Sequence, residues 1–118
     1  MIEIGSRAKT LPAPPAVVWD SLARPRQPGS RPWLVLLADE VEPRILDAEK
    51  PHRLVWSSLW PSRPDARIEF ALTAVGGATL LRFTVLTAAP APDASKAGHL
   101  RQRLNRLLFA DLRYSYGQ

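Results

Sequence analysis

A chain of 118 residues, 46% hydrophobic and 23% charged, has room for one domain, 1–118, with a core that needs no staples. It has no cysteine, which excludes disulfides and thiolate chemistry, and its longest apolar run, Trp33 to Ala38, is far short of a membrane span. Lys and Arg outnumber Asp and Glu by 16 to 11, but the 13 arginines are scattered, so nucleic acid is disfavoured as a partner.

Ile2, Ile4, Ser6 and Ala8 alternate with Glu3, Gly5, Arg7 and Lys9, the pattern of a first strand. Polar residues interrupt it too early for a signal peptide, and a cytoplasmic protein is expected. Prolines 12, 14 and 15 stop the strand, and Pro15 to Ala23 reads as a short helix with proline in its first turn. Arg24-Pro25 ends it. Residues 24 to 32, rich in proline, form a loop. Trp33 to Ala38 fits a short helix or a buried strand, and periodicity cannot separate the two over so short a run.

From Val41 the period is two. Val41 and Ile45 alternate with Glu42 and Arg44 as far as Glu49, and Lys50-Pro51-His52 makes a turn. Arg53 to Trp60 is an aromatic-rich strand in which either Val55 or Trp56 points inward. After a second turn at Pro61 to Asp65, Ile68, Phe70, Leu72 and Ala74 give the clearest alternation in the chain. Gly76-Gly77 signals a hairpin, followed by Leu81, Phe83 and Val85 on one face of a last strand.

Asp93 to about Tyr114 is a long amphipathic helix, with Asp93 and Ser95 as cap formers. At ~100° per residue, Ala97, Leu100, Leu104, Leu107, Leu108 and Leu112 share one sector. Lys96, His99, Gln102, Arg103, Arg106 and Arg113 share the other. Such a helix needs a surface to lie on, and the one-sided meander supplies it. Burying the stripe contributes roughly 10 kcal/mol as an upper estimate.

Three segments in this order carry a resemblance. Ala13-Pro-Pro-Ala-Val-Val-Trp19 is a proline-led helix after the first strand. Pro51-His-Arg-Leu-Val-Trp56 is a turn and strand. Gly77-Ala-Thr-Leu-Leu-Arg82 is a hairpin and strand ahead of the closing helix. Over its whole length the chain resembles the SRPBCC superfamily, which includes START domains, polyketide cyclase-like proteins and activators of heat-shock chaperone ATPases. The resemblance implies an α+β helix-grip fold: a curved antiparallel sheet around a long C-terminal helix, with an apolar ligand between them. The family has about seven strands. Five or six are expected here, with one or two short helices after the first strand. The shortfall, before Glu40, implies a shallow groove or an open sheet edge that pairs with a second copy.

Asp111 falls at an angle inside the apolar stripe, among Leu104, Leu107 and Leu108. A carboxylate there is a polar anchor for a ligand, an acid with a raised pKa, one half of an ion pair with Arg7 or Arg31, or exposed at a frayed end. Phe109 points away from the stripe. Trp33, Trp56, Trp60, Phe70 and Phe83 line a ligand space or fill a core. His52 and His99 have no metal-ligand neighbours at useful spacing. The acidic stretch Asp39, Glu40, Glu42, Asp47 and Glu49 lacks a calcium-loop pattern and reads as a solvated strand face. Arg103, Arg106 and Arg113 read as a basic ridge on the outer helix face. No Gly-x-Ser-x-Gly, phosphate loop or sign of a triad stands in the chain.

The expected function is binding of an apolar small molecule between helix and sheet. The expected lining is Phe70, Leu72, Phe83, Val85, Leu104, Leu107 and Leu108, with Trp56 and Asp111. The alternatives are a protein-interaction module with a filled core, acting as a homodimer or through its open edge, and a cyclase- or dehydratase-like enzyme with Asp111 as its acid or base. No cofactor or metal is expected.

Overall fold

The computed structural model describes residues 1–29 and 31–117. Strand β1 (Ile2–Leu11) is followed by helix α1 (Pro15–Ala23), then by β2 (Ile45–Glu49), β3 (Arg53–Ser57), β4 (Arg67–Val75) and β5 (Ala78–Thr87). The chain closes with α2 (Ala94–Arg106), a π-helical turn (Leu107–Leu112) and a final helical turn (Arg113–Ser115). The five strands form one curved antiparallel sheet in the order β1-β5-β4-β3-β2, and the C-terminal helix lies on one of its faces.

The alternation in β4 and β5 does what its period requires. Ile68, Phe70 and Leu72 are buried opposite Val85, Phe83 and Leu81, and their neighbours in sequence face away. Gly76, at φ 59°, makes the two-residue turn of this hairpin, a left-handed conformation that a side chain would strain. In β3 both Val55 and Trp56 are buried, but Trp56 and Leu54 belong to the core and Val55 lies outside it.

Two tryptophans fasten α1 across β3. The Trp56 indole N–H donates to the Leu22 carbonyl at 3.0 Å, and the Trp19 indole N–H donates to the Arg53 carbonyl at 3.0 Å. The first bond satisfies a carbonyl that the end of a helix leaves open. Thr79, fully buried, donates its hydroxyl to the Ala13 carbonyl at 2.7 Å and so closes the corner between β1 and α1.

The C-terminal helix starts where Asp93 places it: its carboxylate accepts the Lys96 N–H at 2.8 Å. The helix runs in the same direction as β1 and in register with it. Four helical residues rise ~6 Å and two strand residues ~6.6 Å, so each step of the one matches a step of the other. Arg101 packs on Gly5, where an added Cβ would meet the Arg101 Cβ at 3.1 Å. Asn105 then meets the Arg7 guanidinium at 3.5 Å, Phe109 lies under the Lys9 ammonium, and Arg113 donates to the Thr10 carbonyl. Arg7 and Lys9 of β1 therefore face the flank of the helix. Ser6 and Ala8 pair with Thr84 and Arg82 on the sheet's far side.

Three boundaries differ from the sequence reading. Trp33 to Ala38 is neither helix nor strand; Trp33 and Leu34 are buried, while Val35 and Leu37 stand out in solvent. β2 begins at Ile45 rather than Val41. β3 ends at Ser57, because Ser58 turns its hydroxyl to its own backbone, accepting the Trp60 N–H at 2.9 Å. Among the described residues no helix is long and apolar enough to cross a membrane.

Candidate functional site

Residues 31–44 form a strap that carries no strand and crosses the side of the C-terminal helix. Its far end is sewn to the chain beyond β3: Val41 N–H donates to the Leu59 carbonyl at 2.8 Å, and Ser57 N–H to the Arg44 carbonyl at 2.8 Å. Its middle is held by one ion pair. Arg103 donates from Nε and from one terminal nitrogen to the two oxygens of Glu40, both at 2.8 Å, and from the same terminal nitrogen to the Val35 carbonyl at 2.8 Å. The Leu37 N–H donates to the same carboxylate at 2.8 Å. The two side chains are 9% and 2% exposed.

Burial alone pushes the Glu40 carboxyl toward its neutral form. The Arg103 and Leu37 donors outweigh that effect and hold its pKa below the ordinary carboxylate range. The bond to Glu40 raises Arg103 in return. A paired charge this dry is costly to break, since the survivor stays buried and uncompensated.

Between strap and helix lies an open groove of about 610 Å³. Pro32, Trp33, Val35 and Leu37 form its strap wall. His99, Gln102, Arg103 and Arg106 form its helix wall, and Asp111 and Tyr114 its far end. Trp33 is the floor, stacked on the core at 6.2 Å from the Trp56 ring. Its indole Nε1 is buried and has no partner among the described residues, a state that costs about 1–3 kcal/mol. Trp33 also borders a second hollow of about 430 Å³ below α1, alongside Ser21 and Tyr116.

The structure brings eight of the nine expected lining residues together. Trp56, Phe70, Leu72, Phe83, Val85, Leu104, Leu107 and Leu108 belong to one core cluster and are at most 4% exposed. They fill the core, and none of them lines the groove. Asp111 is not with them. It is half-buried at the end of the groove, and neither Arg7 nor Arg31 pairs with it: Arg7 meets Asn105, and Arg31 donates to the Tyr114 carbonyl at 3.3 Å.

One feature of the backbone corrects both Asp111 and Phe109. On a continuous α-helix Leu107 and Leu112 would stand ~140° apart. The π-helical turn adds a residue to that turn and buries both on one side. Everything after Leu108 rotates with it. Phe109 swings in against Phe83, with ring centroids 6.0 Å apart, and Asp111 swings out.

The basic ridge and the acidic stretch are corrected as well. Arg103 and Arg113 bond protein groups, and Arg106 alone of the three is exposed. Glu40 is no part of a solvated strand face, and Glu42 and Asp47 pair with Arg26 and Arg53. The Arg103–Glu40 pair was missed by the sequence reading, though it left a trace. Arg103 lies three residues after Leu100 and four before Leu107, at the rim of the stripe, where a charge needs a partner.

No known family model and no curated protein matches this sequence. Solved structures do match the fold. The Aha1 dimer from Colwellia psychrerythraea superposes with a TM-score of 0.69 at 16% identity, over 93% of this chain and 92% of that one. CalU16 from Micromonospora echinospora gives 0.66 at 21% identity, over 87% of this chain and 69% of that one. DynU16, from the dynemicin biosynthetic locus, gives 0.66 at 19% identity over 92% of this chain, which spans 45% of DynU16. At these identities the likeness is one of fold alone.

Proposed function

We propose that this chain is a shortened SRPBCC-type protein that binds an amphipathic or apolar small molecule in the groove between its C-terminal helix and the strap. The observation that carries this reading is the groove itself. Its volume suits a drug-sized molecule, it has an apolar wall and a polar wall, and it lies where the strap takes the place of strands. Asp111, expected from the sequence to touch a ligand, borders it. Trp56, Phe70, Leu72, Phe83, Val85, Leu104, Leu107 and Leu108 would meet a ligand only if the core opened. Native mass spectrometry of the purified protein tests the reading. A co-purified adduct of small-molecule mass is expected in the wild type, and its loss is expected in Leu37→Asp, a change at an exposed position that leaves the core alone. An adduct that Leu37→Asp fails to weaken would move the ligand elsewhere.

A second reading rests on the edge of the sheet. β2 has a neighbour on one side only, and all five of its residues are exposed, Ile45 and Leu46 at 41% each. With Val41 they form an apolar margin along an open edge, the arrangement that pairs with another strand. The dimeric Aha1 neighbour favours a second copy of this chain as the partner. Light scattering at roughly tens of micromolar, the range in which weak dimers assemble, is expected to show a dimer that Leu46→Lys dissociates. A monomer throughout would end this reading.

A further inference from the structure

The chemistry of the groove narrows its ligand, on the reading that the groove is a binding site. Trp33, 3% exposed, lies between the groove and the hollow below α1, and its buried indole N–H is accepted by no described residue, whereas those of Trp19 and Trp56 each reach a carbonyl. An N–H can only donate, so what this one lacks is an acceptor oxygen. Arg106 lines the same groove, is exposed, and takes part in no ion pair among the described residues. Its neighbour Arg103 is engaged by Glu40. One uncommitted guanidinium matches one negative charge, and the Asp111 carboxylate at the end of the groove repels a second. Val35 and Leu37 expose 64% and 52% of their surface on the strap side, a landing for a ring or a hydrocarbon body.

We infer that the groove takes an amphipathic organic monocarboxylate, its oxygens held by the Trp33 indole N–H and the Arg106 guanidinium and its apolar body laid on Val35 and Leu37. The probes are 2-naphthoate, 2-naphthol and 2-naphthylmethylamine, which share a ring system and differ in headgroup. They are titrated into ¹⁵N-labelled protein. The Trp33 indole cross-peak is identified by its absence in Trp33→Phe, and the rest of that spectrum reports on the fold. Naphthoate is expected to bind about tenfold tighter than the alcohol or the amine and to move the Trp33 indole peak downfield. Arg106→Gln is expected to reduce naphthoate to the level of naphthol. Asp111→Asn is expected to tighten naphthoate severalfold by removing a like charge.

Equal affinity for the three probes would overturn the carboxylate while the groove stood as a binding site. Naphthoate bound with the Trp33 peak unmoved, or with Arg106→Gln indifferent, would overturn the assigned donors. Failure of all three probes to bind would overturn the inference together with the reading on which it rests.

Discussion

The C-terminal helix has two sides built on different principles. Toward the sheet, Leu100, Leu104, Leu107, Leu108 and Leu112 are fully buried in a continuous apolar core. Toward the strap, two buried residues, Trp33 and Leu34, one ion pair and a few backbone bonds hold a segment that leaves Val35 and Leu37 in solvent. The first side draws on many small additive contacts, so its stability is spread out. The second concentrates its side-chain polar attachment in Arg103 and Glu40, so a single change there removes the polar hold on its middle. On the proposed function, stability and access to a ligand are thereby assigned to opposite sides of one helix.

The two sides differ most in what a single truncation costs. Leu104→Ala leaves a cavity in a packed core and is expected to lower unfolding free energy by about 4 kcal/mol, read from urea denaturation. Strap and sheet should unfold together in that variant. On the other side, Glu40→Ala strands the Arg103 guanidinium and is expected to cost about 3 kcal/mol. Hydrogen exchange should then rise chiefly in residues 33–41, with β4 and β5 keeping their protection relative to each other. A uniform loss across sheet and strap would show that the two sides are not separate.

Much of the first side was legible from the sequence, and little of the second. The alternation in β4 and β5, the Gly76-Gly77 hairpin and the Asp93 cap are local signals, and each fixes its own element. The row from Leu100 to Leu108 needs only the helical period. The strap has no period: Trp33 and Leu34 are buried because Trp56 and the C-terminal helix stand behind them, and no residue within 31–44 says so. The π-helical turn is equally silent, since it repeats no residue pattern of its own. One added residue in Leu107–Leu112 turns Phe109 inward and Asp111 outward, and so places Asp111 at the end of the groove while the other eight expected residues stay in the core. Eight of the nine expected residues lie in the buried core cluster, and Asp111 lies outside it.

Acid sharpens the contrast without a mutation. Glu40 has a pKa depressed by folding, so the stability it supplies is fully present above its unfolded value, ~4.3. That stability is lost as pH falls through the lower folded value. Arg103 stays charged throughout. Hydrogen exchange, corrected for its intrinsic pH dependence, should therefore quicken in residues 33–41 on going from about pH 6 to about pH 3, ahead of β4 and β5. In Glu40→Gln the strap should be loosened at both pH values, and the differential step should vanish. A step that survives in Glu40→Gln would place the titrating group elsewhere.

The smallest effect expected belongs to Asp111, and its smallness is informative. If the helix ran as an unbroken α-helix, Asp111 would stand among Leu104, Leu107 and Leu108. Replacing a carboxylate there with leucine would remove a desolvated charge, add apolar burial and stabilise the protein by more than ~2 kcal/mol. With the π-helical turn in place, the side chain is half-buried at the open end of the groove. Asp111→Leu then exchanges one partly solvated group for another, and the urea midpoint should correspond to a change within ~0.5 kcal/mol. A large stabilisation would mean that the turn at Leu107–Leu112 is α-helical in solution and that Asp111 belongs with the core. A null result, with Asp111→Asn still tightening naphthoate, would set the carboxylate on the groove side of the helix, where it acts on a ligand and leaves the fold alone.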